Sequence, residues 1–577
     1  MDKKSTIVAI VLMVALMLGT QFVLQWINPP KPTEAAIPLE TPTATPTETT
    51  PGTTSLETAA PTSAIVAAID TMELPSEEIK ASTDLYEVVF NTKGASITSF
   101  KLKKHLDMGQ PLEMVNTFNG GSGSFFEFDF GDKVKNASQV VFAYKSLSDK
   151  VFEFSRTFKG LNGENFLVKK VFTLVEGEYI LGLKVLIQSE NNSIPQISAD
   201  KYAYSLTIGP QLGPQFKKID NTQELRKYYY FTGNERKEME FGKGTQTYSD
   251  YFKWAGLMGK YFGVILIPDS GSYSITWNDK INSSDMKDHS TSMTVNRGAL
   301  KGSVSEDSFN FYLGPKEEGI LLKYNKESDN ALKFAGLKLE TSLDRNPFLG
   351  WLEIGMKWVM DVLLNSWINN WGITIILLSF LLRLVLWVPT HKSYESTAAM
   401  AAVGPKLSAL QEKFKNDPAK LNAAMAELYK KEGINPLGGC LPMLIQIPIM
   451  IALWQMLSTH FDLRGAVFIP GWITDLSLPE SVFNWGFPLP LLGWTDLRIM
   501  PILMVATQIL SSMVTQPQSA QQAQMKMLTY ALPLVFFFFF YDMPSGLVVY
   551  WTVTNVLSMA QQWIINSEIK KKKAAKA

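Results

Sequence analysis

The sequence has only one cysteine, Cys440, in 577 residues. A single cysteine excludes an internal disulfide and any metal site built from several cysteines. We interpret Cys440 as a packing residue at the edge of a membrane segment rather than as a reactive thiol. The four histidines are too far apart in the sequence to form a metal-ligand pair, and we expect no metal and no cofactor: His105, His289, His391 and His460.

The sequence also lacks the short motifs of common nucleotide-dependent and hydrolytic enzymes. It contains no G-x-x-x-x-G-K-[ST], no G-x-S-x-G and no H-E-x-x-H. These absences argue against an ATPase, a serine hydrolase and a zinc peptidase, and we expect no catalytic residue and no enzyme. The formal net charge is zero, so the overall charge predicts no specific nucleic-acid partner.

Hydrophobic residues are abundant, at 46%, whereas charged residues make up 19%. This balance indicates a membrane protein. The most informative apolar run is Gly372–Lys392, which reads GITIILLSFLLRLVLWVPTHK. About 20 helical residues cross ~30 Å of hydrocarbon at ~1.5 Å per residue, so the run predicts one continuous transmembrane helix.

Arg383 is the one charge inside this apolar run. An arginine at this depth costs on the order of 2.5–3.5 kcal/mol on insertion scales, and arginine keeps its proton. Three interpretations follow: a side chain that snorkels to the headgroups, a structural ion pair with another helix, or a cation that lines a water-filled cavity. No other apolar segment has an internal Asp or Glu, which weakens the ion pair, and we favour the cavity.

The N-terminal part predicts an anchor and a tether. Residues 6–27 are nearly all apolar and follow Lys3 and Lys4. The run is long for a signal peptide and ends without an A-x-A-like cleavage site, so we predict an uncleaved transmembrane anchor at 1–28 with a cytoplasmic N-terminus. Residues 29–82 are rich in Pro and Thr, which predicts a disordered linker.

Residues 83–340 carry short runs in which apolar and polar residues alternate, separated by Gly- and Asn-rich turns. This period-2 pattern predicts a large all-β sandwich outside the cytoplasm. We expect its aromatic residues to form the core. Residues 346–370 then combine tryptophans with a polar stripe four residues apart, which is typical of an amphipathic helix in the membrane interface. The alternative is an ordinary amphipathic helix beneath the sandwich.

A polar stretch at 391–434 predicts an antiparallel pair of helices with one apolar stripe each. Asp417 can cap the second helix, Pro418 can occupy its first position and Gly433 can end it. Lysines outnumber acids in this stretch, which favours the cytoplasmic side. The stretch is either a solvated connection or a docking arm for a partner.

Four more apolar runs follow, at 441–457, 499–514, 527–541 and 547–565. The distribution of lysine and arginine between their loops predicts six spans, with both chain termini in the cytoplasm. These runs also contain uncharged polar side chains that could line a cleft with Arg383. Ser379, one turn before Arg383 on the same face, is the strongest companion; the others are Gln446, Gln455, Gln508, Tyr550, Trp551, Thr552 and Asn555.

Three segments in this order and spacing resemble the bacterial YidC family of membrane protein insertases, relatives of the mitochondrial and chloroplast insertases. They are NWGITIILLSFLLRLVLWVPTHKSY, INPLGGCLPMLIQIPI and MPSGLVVYWTVTN, the last followed by S-x-x-QQ. The core resemblance covers about 346–566. The N-terminal anchor and the segments NTKGASITSFKL and WAGLMGKYFGVILIP are similar to the Gram-negative form.

This resemblance implies a polytopic α-helical membrane protein with six transmembrane helices, a five-helix insertase core and a large periplasmic β-supersandwich similar to sugar-mutarotase folds. The implied domains are 83–340 for the β-supersandwich, 346–370 for the interfacial helix, 371–566 for the core and 567–577 for a basic cytoplasmic tail. Within the core, 392–433 is the implied cytoplasmic hairpin. The implied location is the bacterial inner membrane, with the large domain in the periplasm.

The resemblance also implies site residues and partners. The implied substrate groove contains Arg383, Ser379, Tyr550 and Trp551, and we add Gln508 as a polar residue of a neighbouring span. Nascent membrane proteins would be the substrates, with the Sec translocon, the ribosome and the signal recognition particle system as partners in the lipid bilayer. The hairpin departs from the family pattern because its start, 399–403, is uncharged, which weakens direct charge-based ribosome binding. Its cationic residues are Lys406, Lys413, Lys415, Lys430 and Lys431.

Two other classes of function remain open from the residues alone. A secondary transporter or channel could use Arg383 as the counter-ion for an anionic substrate, although we find no inverted repeat and too few spans for a typical transporter. A structural assembly scaffold would need no groove chemistry. The function that we expect is insertion, folding and assembly of membrane proteins, alone or with the Sec translocon, through a hydrophilic groove that contains Arg383.

Overall fold

The computed structural model describes residues 67–574 except for 69–74, 108, 116–122, 132–136, 199–200, 210–211, 215–223, 270–272, 282–288, 345–347, 367, 416, 434–440, 490–491 and 516–522. The predicted anchor at 1–28, most of the predicted linker, and Cys440 lie outside the described residues.

Antiparallel strands dominate the first half of the described chain. They are β1 (Ala67–Ala68), β2 (Glu78–Ser82), β3 (Tyr86–Asn91), β4 (Ser96–Asp107), β5 (Gln110–Glu113), β6 (Ser124–Phe130), β7 (Ala143–Ser148), β8 (Val151–Lys159), β9 (Asn165–Leu174), β10 (Ile180–Ser189), β11 (Tyr202–Gly209), β12 (Lys227–Thr232), β13 (Glu235–Met239), β14 (Gln246–Tyr248), β15 (Trp254–Met258), β16 (Phe262–Pro268), β17 (Tyr273–Ile281), β18 (His289–Gly298) and β19 (Val304–Pro315).

These strands form two large sheets. One has the order β1-β8-β9-β10-β19-β16-β15-β12-β13, with β7 added to β8, and the other has the order β14-β17-β18-β11-β6-β4-β3-β2, with β5 added to β4. Aromatic side chains fill the space between the sheets; Phe90 of β3, for example, contacts Phe152 of β8 and Phe172 of β9. The predicted all-β sandwich with an aromatic core is therefore confirmed.

The sandwich begins before the boundary that the sequence predicted. Residues 78–82, inside the predicted disordered linker 29–82, form β2, which pairs with β3 from Glu78 opposite Asn91 to Ser82 opposite Glu87. Ala67–Ala68 also pairs with β8. The linker boundary was wrong because these short strands have little apolar periodicity of their own, and their hydrogen bonds are made with distant residues.

A lysine lies in the centre of the sandwich. Alternation along β9 turns Lys170 inward with Val168 and Phe172, and all three are buried. The Lys170 ammonium donates hydrogen bonds to the carbonyl oxygens of Ala95 and Phe126, at 2.5 and 2.8 Å. Both carbonyl residues have a positive φ, 45° and 65°, which ordinary side chains rarely adopt. The ammonium therefore links β9 to two positions of positive φ in the opposite sheet, one just before β4 and one at a bulge within β6.

We expect the stability of the sandwich to rise with pH because of Lys170. Burial lowers the pKa of Lys170 from 10.5 to about 7, so between these values the unfolded chain binds more protons than the folded chain. The free energy of unfolding should then increase from about pH 7 to about pH 10.5. Urea titrations of the full-length protein in detergent would measure this slope. Lys170→Met should flatten this slope, whereas Lys169→Met, on the outer face of the same strand, should leave the slope unchanged. Equal slopes in both variants would contradict the role of Lys170.

The second half of the described chain is mostly helical. After short helical turns at Glu318–Leu321, Leu322–Asn325, Glu327–Asp329 and Leu339–Ser342, the helices are α1 (Gly350–Ser366), α2 (Trp371–Val385), α3 (Trp387–Ala402), α4 (Gly404–Lys413), α5 (Pro418–Glu432), α6 (Leu441–Thr459), α7 (Met500–Thr515), α8 (Ala523–Phe540) and α9 (Ser545–Ala574). A 3-10 turn, Phe461–Leu463, and a small sheet of β20 (Phe483–Asn484) and β21 (Asp496–Leu497) lie between α6 and α7.

The predicted continuous helix at 372–392 is wrong, because the chain breaks at Leu386 between α2 and α3. The two helices are bent by 65°. Pro389 explains the break, since it has no N–H to donate to the carbonyl of Val385 and its ring collides with that carbonyl. Taken together, Trp371–Val385 and Trp387–Ser396 meet the length and composition of a membrane span; no single helix among the described residues does so.

The helical hairpin has the predicted ends. Asp417 accepts a hydrogen bond from the Lys420 N–H at 3.1 Å, and Pro418 is the first residue of α5. Gly433 ends α5 with a φ of 64°, a left-handed value that glycine adopts without strain. The first arm differs from the prediction: α3 runs on to Ala402, so the arm is split into α3 and α4.

The later apolar runs fold as helices close to the predicted bounds. The run at 499–514 corresponds to α7 and the run at 527–541 to α8. The predicted tail at 567–577 is different, because α9 continues without interruption from Ser545 to Ala574.

Candidate functional site

The candidate site is built on the inward face of α2. Asn370 caps this helix by accepting a hydrogen bond from the Ile373 N–H. Ile375, Ser379 and Arg383, at spacings of four, form its buried face. The opposite face, which includes Leu384 and Val385, is apolar and exposed. An apolar outer face with the charge turned inward is the arrangement of a membrane helix, in which charged residues face the bundle.

Arg383 is only 8% exposed, so it lies inside the bundle. Its Nη2 donates a hydrogen bond to the Tyr394 hydroxyl at 2.8 Å, while its Nε has no acceptor within the described part of the chain. No acidic side chain of the described residues forms an ion pair with Arg383. The geometry therefore favours neither a snorkelling arginine nor a structural ion pair, and it leaves donor capacity unused.

The bend between α2 and α3 brings Tyr394 to Arg383. In a straight helix the two residues would be separated by ~16 Å along the axis, at ~1.5 Å per residue over eleven residues. Analysis of the sequence missed Tyr394 because it assumed a straight helix. The signal that could have identified it is Pro389, which lies between them. Tyr394 is itself buried, so its hydroxyl needs a partner and orients the guanidinium.

Ser379 lies on the same face as Arg383, as predicted, and it is buried. Its hydroxyl donates to the Ile375 carbonyl oxygen of the same helix at 2.7 Å. Such a bond satisfies the hydroxyl locally. Ser379 therefore contributes a small side chain next to Arg383 and is not hydrogen-bonded to it.

The remaining predicted groove residues form two pairs between helices. Gln446 of α6 donates to the Tyr550 hydroxyl of α9 at 2.7 Å. Trp551 of α9 donates through its indole N–H to Gln508 of α7, also at 2.7 Å. The two α9 residues are adjacent, so they bond to helices on two sides of α9.

Two other predicted polar residues also connect helices or domains. Asn555 of α9 donates to the carbonyl oxygen of Met504 and to Thr507 of α7, at 3.4 and 3.3 Å. Gln455 donates to the backbone carbonyl of Asp344, at the end of the β domain, at 2.5 Å. Gln455 is therefore part of a joint between the β domain and α6 rather than of the groove.

A second contact holds the β domain to the chain after α6. Phe461 packs against His105 and Phe262, with ring centroids 5.9 and 4.9 Å apart. Beside it, Arg464 forms an ion pair with Asp107 at 3.4 Å. Sequence analysis did not identify this contact, because its partners are more than 100 residues apart.

Helix α1 turns its polar stripe toward the protein. Glu353 is buried and accepts from Thr459 at 3.3 Å, and Lys357 forms ion pairs with Asp361 and Asp462. The opposite face presents Trp351, which is 72% exposed. Exposed tryptophans together with paired inner charges are typical of a helix in a membrane interface, and that position stays a prediction.

The hairpin lysines lie on different helices from the Arg383 cluster. Lys406 forms an ion pair with Glu432 at 2.6 Å, which joins α4 to α5. The other lysines that we predicted are exposed to solvent: Lys413, Lys415, Lys430 and Lys431. They form a separate charged surface. Among the described residues, no cluster of three or more His, Cys, Asp or Glu residues could hold a metal ion.

Two family models match the chain. The model described as "YidC periplasmic domain" matches residues 78–359, and the one described as "60Kd inner membrane protein" matches residues 363–573. The division between the two matches falls at the end of α1, where the β domain has ended and the helical part continues.

Curated relatives align with nearly the whole chain. A membrane protein insertase YidC from Treponema denticola is 36% identical over 524 residues, covering 88% of this chain and 89% of the relative. The Treponema pallidum relative of the same name is 28% identical and covers 99% of this chain and 100% of the relative. A crystal structure of an active YidC insertase is 17% identical, covers 86% of this chain and 94% of its own, and has a TM-score of 0.35. The chain therefore belongs to the YidC family of membrane protein insertases.

Proposed function

We propose that the protein inserts membrane proteins into the bilayer and assists their folding, through a groove that contains Arg383. The observation that carries this proposal is the buried guanidinium of Arg383, which faces the helical bundle, is oriented by Tyr394 and has no acidic partner among the described residues. A fixed positive charge of this kind attracts the polar or acidic flank of an incoming segment without any bond chemistry.

Family membership makes the chain an inner-membrane protein with a periplasmic domain, and we propose six spans with both termini in the cytoplasm. Two contacts support this topology. Gln455, near the end of α6, bonds to Asp344 of the β domain, and Phe461 packs against the same domain. The end of α6 therefore lies on the side of the β domain, and the hairpin α4–α5 lies at the other end of α6.

The proposed mechanism lowers the cost of moving polar groups through hydrocarbon. A charged side chain at the bilayer centre costs on the order of 2.5–3.5 kcal/mol, and a hydrated groove that reaches partway across shortens the dry path. Arg383 keeps this groove hydrated and holds the substrate flank, while Gln446, Tyr550, Trp551 and Gln508 supply polar walls. The apolar segment then moves to the lipid along exposed helix faces, and hydrophobic partition drives release without a nucleotide.

We propose that the exposed lysines of the hairpin form a docking surface on the cytoplasmic side. Lys413, Lys415, Lys430 and Lys431 are exposed and accessible to acidic partners. The ion pair between Lys406 and Glu432 holds the two arms together. Partners of this surface would be the ribosome, the signal recognition particle system and the nascent chain, and the Sec translocon would contact the membrane core.

Reconstitution tests the proposed function directly. The purified protein in lipid vesicles should insert a small single- or double-span membrane protein without ATP, as measured by protease protection of the substrate. Empty vesicles are the control. Uptake of a small anion without insertion would instead support a transporter with Arg383 as the counter-ion. If neither insertion nor uptake is observed, the result would indicate an assembly scaffold that works only with other components.

A further inference from the structure

The 481–497 hairpin, which contains β20 and β21, exposes large apolar side chains. Between Ser481 and Thr495 the sequence has no charged residue. Phe483 and Phe487 are 60% and 57% exposed. An exposed apolar patch of this kind marks a surface that is covered by a partner or by lipid. The exposed apolar side chains of the hairpin are Val482, Phe483, Phe487, Leu492 and Leu497.

Several backbone groups of the described part of this hairpin are already hydrogen-bonded, which a lipid environment requires. The N–H groups of Val482 and Trp485 donate to the carbonyls of Leu497 and Thr495, at 3.0 and 3.1 Å. The Leu489 N–H donates to the Trp494 carbonyl at 2.8 Å, and the Trp485 indole N–H donates to the same carbonyl at 2.9 Å. Because hydrocarbon offers no partners to polar groups, a hairpin with paired groups enters it at low cost.

The polar groups of the hairpin collect at its base. The carboxylate of Asp496 accepts hydrogen bonds from Ser481, Asn484 and Thr495, at 2.7–2.8 Å. Burial raises the pKa of Asp496, but these hydrogen bonds and the nearby charge of Arg498 lower it further, so the net pKa lies below its usual range. The carboxylate therefore stays charged at neutral pH and belongs in the headgroup region. It lies on the face of the paired strands opposite Phe483 and Leu497, and Phe487 lies in the loop beyond the pair.

The hairpin continues an exposed apolar face of α8. Trp494 stacks on Tyr541 with ring centroids 3.7 Å apart, and it also contacts Phe538 of α8 at 5.7 Å. On the same helix, Leu534 is 55% exposed. The two surfaces meet at Trp494, so lipid that covers α8 reaches the hairpin.

We propose that the 481–497 hairpin inserts Phe483 and Phe487 into the lipid leaflet on the side of the β domain. This inference rests on the membrane placement in the proposed function. The occupant is lipid rather than a protein partner because the surface is uncharged, is continuous with the exposed face of α8 and has no unpaired backbone N–H at the positions described above. The hairpin thus anchors the loop that joins α6 to α7.

Lipid quenching of single-cysteine probes tests this inference. In a Cys440→Ser background, the full-length protein would carry Phe487→Cys, labelled with an environment-sensitive fluorophore, in phosphatidylethanolamine–phosphatidylglycerol vesicles with brominated acyl chains. Leu534→Cys on α8 is the control for membrane placement, and Ala143→Cys, exposed on β7, is the control for water. Phe483→Cys is the second hairpin position.

We expect loss of fluorescence for the Phe487→Cys and Leu534→Cys probes and none for Ala143→Cys. Bromine near the headgroups should quench Phe487→Cys more than bromine near the chain ends. Quenching of Leu534→Cys without quenching at either hairpin position would overturn the inference and leave the proposed function intact. A blue-shifted but unquenched hairpin probe would overturn it in favour of a protein contact. Absence of quenching at Leu534→Cys would overturn the membrane placement itself.

Discussion

Replacement of Arg383 by alanine should reduce insertion of a substrate with an acidic translocated flank by about tenfold or more. A charge-assisted hydrogen bond contributes about 1.5–3 kcal/mol, and 1.4 kcal/mol corresponds to a factor of ten. The arginine is buried, and no acidic side chain of the described residues pairs with it, so an acidic flank that enters the bundle meets a positive charge without a counter-charge. Protease protection of the substrate flank in proteoliposomes measures the effect, and a substrate with a neutral flank should lose less.

Two further variants separate the charge from the geometry. Arg383→Lys keeps the charge but loses the planar fork of donors. Tyr394→Phe keeps the arginine and removes the hydrogen bond that orients it. Normal insertion of the acidic substrate by Arg383→Lys would show that charge alone is needed. Loss of this insertion in both variants would show that the oriented guanidinium is needed. Full insertion of the acidic substrate by Arg383→Ala would refute the electrostatic role.

Replacement of Asp344 by alanine should lower the free energy of unfolding of the β domain by about 3 kcal/mol, the cost of breaking a largely buried ion pair. The Asp344 carboxylate accepts from the Tyr229 hydroxyl at 2.6 Å and pairs with Lys227 and Arg236 at 2.9 and 3.1 Å. Its removal takes the ion-pair partner from Arg236 and leaves Lys227 with the more distant Glu238, at 4.0 Å. Denaturant titration of the full-length protein, followed by a probe in the β domain, measures the change.

Asp462→Ala is the matched control, because Asp462 forms a more exposed ion pair with Lys357. Exposed pairs contribute about 0–1 kcal/mol, so the free energy of unfolding of this variant should stay close to that of the parent protein. A similar loss of unfolding free energy in both variants would contradict the proposed stabilising role of the Asp344 ion pairs.

The stabilisation by the Asp344 ion pairs also has a predicted pH dependence. Burial raises the pKa of Asp344, but Lys316, Lys227, Tyr229 and Arg236 together lower it more, so it lies below its usual range. The stabilisation is therefore present above the unfolded pKa of about 3.9 and is lost as the pH falls below it.

Local rules predicted the elements that depend on nearby residues. The cap at Asp417, the proline at 418 and the glycine end at 433 were all confirmed, because each depends on neighbouring backbone groups. The alternating strands of the sandwich were predicted for the same reason. The order of strands within each sheet was not, since pairs such as β10 with β19 join residues more than 100 positions apart.

The site was only partly predictable. Ser379 and Arg383 share a helix face because of the helical period, and this was confirmed. Tyr394 was missed because its contact depends on the bend at Leu386. The joint formed by Phe461 and Gln455 was missed because it depends on how the β domain lies on α6. Gln446 and Tyr550 were singled out as polar, but their pairing depends on helix packing.

The uninterrupted helix α9 offers an attachment point for a rigid fusion partner in electron microscopy. Its 30 residues have a length of about 45 Å, which exceeds a hydrocarbon thickness of about 30 Å by about 15 Å. With α9 as the sixth proposed span, its last turns would extend past the bilayer as a continuous helix. A helical fusion partner joined in register near Ala574 would continue that helix and give a small membrane protein a fixed fiducial for particle alignment in electron microscopy.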